Sequence, residues 1–364
     1  MNKEITNNRV YGLDVFRAVA ILFVLLAHGK GLSGDVFSFF PDFPLIDGVE
    51  LFFVLSGFLI GGILISTVEQ QQKFDIKSLF NFWKRRWFRT LPTYYLVLII
   101  NIILTKTGLI SGDIDQFNYR FFIFLQNFSN GFYDFFWESW SLSVEEWFYI
   151  SLPILILVLS RILSIKKTIF VAISILLLIP LLYRISISDL KVDQFWWGVE
   201  FRKVVLTRLD AINYGVLAAY CKFYYPTFWF KCRKWAFGLG LIFLYIAILL
   251  PKDYNGLFFK TVYFNIIAIG AMLLLPLADS IKNYKNRYIG QFFTFFSKIS
   301  YSLYLVNLGI VISLIVGNFK LQTTTQHIVA YFSYWIIVVI LSWIIYTYYE
   351  NPIMKLRDKS FKRN

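Results

Sequence analysis

YGLDVFRAVAILFVLLAHGK, residues 11–30, decides how the chain is read. A bilayer core about 30 Å thick needs roughly 20 mainly apolar residues in a helix, and this run has that length and character. It also carries Asp14, Arg17 and His28. An ionisable side chain inside a span costs about 2.5 to 3.5 kcal/mol on insertion scales, so each asks for a partner or a function. From Arg17 to His28 is about three helical turns and about 16.5 Å of rise, which puts both on one face. One helix thus offers a cation near one end and a titratable base at the other.

Nine further apolar stretches follow, near 47–67, 88–105, 142–160, 168–185, 204–221, 235–250, 261–278, 298–317 and 328–349. The aromatic run from Tyr119 to Phe128 is a further, re-entrant or interfacial candidate. The composition agrees: 58% of residues are hydrophobic and 16% charged, with 40 Phe, 23 Tyr and 11 Trp. A soluble domain is nearer 45 to 50% apolar and about 25% charged. The expected fold is all-α, a polytopic transmembrane bundle of about ten helices. Residues 1–364 read as a single membrane domain, with a core at 11–349 and a basic tail at 350–364. The first apolar run calls for no separate signal peptide.

The net charge is +14. In a soluble protein that would suggest nucleic acid; here its distribution matters. With the N-terminus inside, 24 of the 36 Lys and Arg fall in inner segments and 10 in outer ones, with Arg17 and Arg208 within spans. This bias predicts both termini in the cytoplasm and removes nucleic acid as a partner. Disorder is excluded by the apolar content. Cys221 and Cys232 form neither a disulfide framework nor a metal site by themselves, and no metal is expected.

The other candidates are polar residues in or beside spans. Glu50 follows Asp47-Gly48-Val49 at the start of the second helix, and Ser56, Gly57, Gly61 and Gly62 suit close helix packing. Arg85, Arg86 and Arg89, at the start of the third helix, suit a polyanionic nucleotide phosphate, or else anchor the chain to anionic lipid. In Trp140-Ser141-Leu142-Ser143-Val144-Glu145-Glu146, Ser143 and Glu146 fit a helix capping box, which leaves Glu145 free for other work. Arg208 and Asp210 form either an ion pair with each other or part of an outer polar site. His28, Glu50, Glu145, Arg208 and Asp210 are expected at similar outer depth. Neutral imidazole, with a pKa of about 6.5, can take a proton from a hydroxyl or accept a group from a thioester. His28 is either such a group or an interfacial side chain beside Lys30, whereas His327 reads as a loop residue.

The ordered set resembles the integral-membrane acyltransferase-3 family, bacterial O-acyltransferases of surface polysaccharides. It runs from Gly12-Leu13-Asp14 with Arg17 and His28, through Gly48 to Phe58, Arg85 to Pro92 and Trp140 to Tyr149, to Arg208-Leu209-Asp210 with Gly215 and Ser300 to Leu305. Two departures stand out: Asn307 occupies a position where a second His is expected, and Asn351 follows Glu350 where a basic residue is common. The resemblance implies acyl-CoA, in particular acetyl-CoA, as co-substrate with no tightly bound cofactor. It implies a glycan acceptor such as O-antigen or exopolysaccharide, free or lipid-linked, and the bacterial cytoplasmic (inner) membrane as location. On it, Arg85, Arg86 and Arg89 hold donor phosphates and Arg17 places the thioester. His28 is acyl carrier or base, oriented by Glu145 or Glu50, with Glu50, Arg208 and Asp210 toward the acceptor. No SGNH-type esterase domain follows the last span, so transfer is expected to be completed by the membrane domain or a separate protein. The competing reading is a transporter or flippase, whose intramembrane charges would line a pathway.

Overall fold

A computed structural model describes residues 9–34, 46–71, 74–132, 134–284 and 286–362. Of the bases counted above, Lys3, Lys73, Lys285 and Arg363 lie outside the described residues. Among the described residues all regular structure is helical. The long helices are α1 (Tyr11–Gly29), α2 (Gly48–Gln71), α3 (Ile76–Lys106), α4 (Ser139–Leu159), α5 (Ile165–Ser186) and α6 (Val205–Tyr224). They continue with α7 (Arg233–Leu249), α8 (Tyr263–Ser280), α9 (Arg287–Val306), α10 (Thr324–Ile345) and α11 (Asn351–Lys362).

Every stretch expected to span is a helix, and among the described residues eight helices are long and apolar enough to cross a bilayer. The two that fall short are α6, interrupted by Arg208, Asp210 and Lys222, and α7, which has 17 residues. The protein is an all-helical, polytopic membrane bundle. The Tyr119–Phe128 segment does not span: it holds a short 3₁₀ turn at Tyr119–Phe122. The hydroxyls of Tyr94 and Tyr95 and the indole of Trp147 donate to its Phe121, Phe122 and Phe124 carbonyls at 2.7 to 2.9 Å.

Three local features position the site. First, α3 begins twelve residues before the expected apolar run, because the Asp75 carboxylate accepts the Ser78 backbone N–H at 2.8 Å and so caps a polar first turn. Arg86 therefore lies inside α3, about 15 Å from its start, rather than at its beginning. Second, α2 and α6 touch backbone to backbone. A Cβ on Gly57 would lie 1.8 Å from the Ile212 carbonyl oxygen, and one on Gly215 2.0 Å from that of Val54. Only glycine permits that approach. Third, helical stretches of π geometry interrupt the bundle at Gly198–Arg202, Asn307–Ile312 and Tyr346–Glu350. Such insertions re-aim side chains and recur at functional sites.

Candidate functional site

Arg17 of α1, Arg86 and Arg89 of α3, and Glu145 of α4 converge on one cleft enclosing about 840 Å³, counting the space at its mouth. Along α2 it runs from Val49 to Ile63, about 21 Å of helix and most of the thickness of a bilayer core. Its walls are largely apolar, including Phe52, Phe53, Leu59 and Leu142.

The cations in the cleft differ sharply in their pairing. Arg86 Nη2 donates to Glu145 Oε2 at 3.0 Å and to the Tyr149 hydroxyl at 2.5 Å. Its guanidinium also sits 4.2 Å from the centre of the Tyr149 ring. Glu145 is further held by the Tyr149 hydroxyl, which donates at 2.8 Å, and by Ser56 Oγ at 3.2 Å. Arg17 and Arg89, by contrast, make no hydrogen bond or ion pair with any described residue. Arg17 is half-buried and Arg89 exposed, so both guanidinium groups on the cleft wall are open to an anion or water. Arg85 is exposed, does not line the cleft, and its carbonyl accepts from Arg357 at 3.5 Å.

Near the far end of the cleft stands Tyr304, whose hydroxyl lies 2.6 Å from Ser141 Oγ and donates to the Glu138 carbonyl at 3.0 Å. His28 does not line the cleft and is linked to Tyr304 through Asn307. Its Nδ1 lies 2.5 Å from Asn307 Oδ1, and the Asn307 amide nitrogen donates to the carbonyls of Leu303 at 3.0 Å and Tyr304 at 2.7 Å. An amide whose NH₂ is committed to two carbonyls presents its oxygen to the imidazole. This assigns the proton to Nδ1 and leaves Nε2 as the free base. The expected orienters do not serve: Glu145 is bound to Arg86, and Glu50 to Arg208.

Asn307 is held from behind. Glu138 is 1% exposed, and its Oε1 accepts the backbone N–H of Leu308 at 3.0 Å and of Gly309 at 2.5 Å. These contacts fix the π-helical stretch that begins at Asn307. Burial pushes the Glu138 carboxyl up to about 7 even though the Gly309 and Leu308 amides oppose that shift.

The remaining candidates form a separate network. Arg208 Nη2 donates to Glu50 Oε2 at 2.5 Å, with the side chains 0% and 3% exposed. Asp210 pairs with Arg184 at 2.7 Å, and Arg184 also donates to Asn265 Oδ1 at 2.8 Å and to the Thr207 carbonyl. Arg208 and Asp210 are therefore not partners of each other, although they are two residues apart. Residues i and i+2 point to different faces of a helix, so each meets a different neighbour. The capping box is also absent. Because α4 starts at Ser139, Ser143 and Glu146 are interior: Ser143 Oγ bonds back to the Ser139 carbonyl at 3.3 Å, and Glu146 accepts from Thr90 at 2.9 Å. His327 lies in the first turn of α10 rather than in a loop, with Nδ1 2.9 Å from the Leu32 carbonyl.

Sequence reasoning missed Glu138, Asn307 as a partner of His28, and Glu350. Glu350 is 5% exposed, accepts from Ser302 Oγ at 2.7 Å, and lies within the fields of Arg17 and Arg89. A carboxylate at the end of an apolar run was the available signal for both acids.

A family model described as an acyltransferase domain matches residues 10–347. The O-acetyltransferase OatA of Staphylococcus aureus strain NCTC 8325 is 27% identical over an alignment covering 96% of this chain and 58% of that protein. A putative O-acetyltransferase of S. aureus strain COL is also 27% identical, over 82% of this chain and 50% of its own length. The chain thus spans half to about three-fifths of the length of these curated relatives. No solved structure matches it. With nearly its whole length matched by the model, the chain belongs to the acyltransferase-3 family.

Proposed function

We propose that the protein is a membrane O-acyltransferase that moves an acyl group, acetyl in the first instance, from acyl-CoA to a hydroxyl of a cell-surface glycan. The observation that carries this reading is the cleft itself, an apolar passage about 21 Å long with Arg17 and Arg89 unpaired on its wall. Phosphates of the donor supply the anions those guanidinium groups lack, since Arg binds phosphate through paired N–H donors. The extended pantetheine arm lies along the apolar walls and carries the thioester toward Tyr304. Arg86 keeps the neutralising partner Glu145, so it shapes the wall, and the phosphate-binding role falls mainly to Arg17 and Arg89.

At the far end, His28 Nε2 takes the proton of the acceptor hydroxyl as that oxygen attacks the thioester carbonyl carbon. The carbon–sulfur bond breaks, the imidazolium returns its proton to the leaving thiolate, and the acyl group remains as an ester on the glycan. Asn307 holds Nδ1–H throughout, in the positioning role a carboxylate plays in a catalytic triad. On this reading the two termini and the donor lie on the cytoplasmic side and the acceptor on the outer side, in line with the charge bias. Glu50, Arg208 and Asp210 stabilise the acceptor end through their buried ion pairs.

Titration of CoA into nanodisc-embedded protein tests the donor assignment. A charge-assisted hydrogen bond contributes about 1.5 to 3 kcal/mol, so Arg17→Ala and Arg89→Ala should each weaken binding by about tenfold or more. Unchanged affinity in both variants would remove the cleft as donor site.

A further inference from the structure

A second pocket, of about 630 Å³, lies behind the start of α2, on the other side of that helix from the cleft. Val49 lines the cleft, while its neighbours Asp47 and Glu50 line the pocket. Its polar wall comprises Asp47, Glu50, Arg202, Trp197 and Tyr263. Its aliphatic lining comes from Leu244, Ala247 and Ile248 of α7 and from Ile267 of α8.

We propose that this pocket binds an uncharged saccharide ring of the acceptor, an inference that rests on the glycan acyltransferase reading above. Three observations carry it. The first is charge balance: Asp47 pairs with Arg202, and Glu50 with Arg208 and, at 3.9 Å, Arg202. The wall therefore presents acceptors and donors together without a net field, which suits hydroxyl groups that both give and accept hydrogen bonds. Asp47 and Arg202 are 35% and 23% exposed, so they remain reachable.

The second is an unsatisfied donor. Trp197 is 8% exposed and its indole N–H has no partner. Its ring is stacked on Phe264 at 5.1 Å and on Phe259 at 4.8 Å, so it is fixed in place with its faces covered. Buried polar groups are nearly always hydrogen-bonded, and this closed-off N–H, on a residue that lines the pocket, is the group a ligand oxygen would complete. The third is the mixed character of the pocket: a pyranose has polar edges and apolar C–H faces, matching a lining that is part polar and part aliphatic. Arg202 also ties the pocket to the reaction. Its guanidinium lies 5.4 Å from the centre of the Trp140 ring, and Trp140 immediately precedes the cleft residue Ser141.

The test is saturation-transfer NMR on nanodisc-embedded protein, prepared without sugar detergents, using maltotetraose and chitotetraose as uncharged probes. An alkyl glycoside of the same sugars distinguishes a lipid-linked from a free source. Ala247→Trp fills the pocket from its aliphatic lining, and Trp197→Phe removes the N–H together with part of the indole while keeping an aromatic ring in the stack. Wild type should show transfer to saccharide protons, Trp197→Phe a weakened signal and Ala247→Trp none, with CoA affinity the same in all three. A stronger signal for the alkyl glycoside assigns a lipid-linked source, and equal signals a free glycan. Saccharide contact unchanged in both variants overturns the proposal, as does an absence of saccharide contact in wild type that still binds CoA. Wild type that binds saccharide but not CoA would instead sink the acyl-CoA reading and leave the pocket standing.

Discussion

The Arg86–Glu145 pair lends itself to a quantitative test, because its geometry says which charges depend on which. Glu145→Gln preserves shape but removes the anion that faces Arg86 at 3.0 Å. Arg86 then stands as a cation one turn from Arg89, with Cβ atoms about 5 to 6 Å apart. Breaking a buried pair by removing one partner costs about 3 to 5 kcal/mol. Here the side chains are 12% and 14% exposed to the cleft, and Gln retains hydrogen bonds to Ser56 and Tyr149, so about 2 to 3 kcal/mol is the working figure. Arg86→Met leaves the carboxylate with Tyr149 and Ser56 and should cost a similar amount. The double variant should cost less than the sum, with a coupling of about 2 kcal/mol, within the range for contacting residues. Reversible unfolding in mixed micelles, run as a double-mutant cycle, measures it. A second cycle between Glu145→Gln and His28→Gln should be additive, since the two side chains have different partners. Additivity within about 0.5 kcal/mol for the Arg86 cycle, or strong coupling in the His28 cycle, would refute this account.

Two further predictions concern the support of His28. Asn307→Leu removes the acceptor for Nδ1–H and should lower turnover by about 100-fold, as expected when a general base loses its tautomer and aim. Asn307→Asp restores an acceptor and should recover much of the rate, and equal loss in both variants would dismiss the orienting role. Glu138 makes stability fall with pH. Its carboxyl, raised to about 7 in the folded protein, holds a proton that the unfolded chain releases above its ordinary value near 4.5. Stability should therefore decline as pH rises from about 4.5 to about 7 and then level off. Glu138→Gln should flatten that decline in thermal unfolding, and a parallel profile in both proteins would contradict the assignment.

The bundle was legible because apolar length and positive charge are properties of short, contiguous segments. Where the reading went astray, the cause was contact between segments. Depth counted from the nearest loop placed Glu145 with His28, but the extra turns of α3 carry Arg86 far enough along the bundle to meet it. Arg208 and Asp210, two residues apart in sequence, separate because a helix turns them toward Glu50 and Arg184. The role of Asn307 stayed hidden for a chemical reason: an amide has no titratable group to draw attention, and its value lies in the two carbonyls that fix its orientation. Glu138 precedes its helix, where a capping role is the ordinary expectation, although its carboxylate instead serves the π-helical stretch of another segment. Arg17, Arg89 and His28, by contrast, stand out in the sequence as candidates, since each is an ionisable group in or beside an apolar run.

The most direct measurement is sided transfer in proteoliposomes of uniform orientation, with the acceptor glycan enclosed and acetyl-labelled acetyl-CoA supplied only at the face bearing the chain termini. The account predicts labelled O-acetyl esters on the enclosed glycan, lost with His28→Ala and reduced through a raised donor KM with Arg89→Ala. Full transfer by the His28→Ala protein, or no transfer by the wild type from that face, would contradict it.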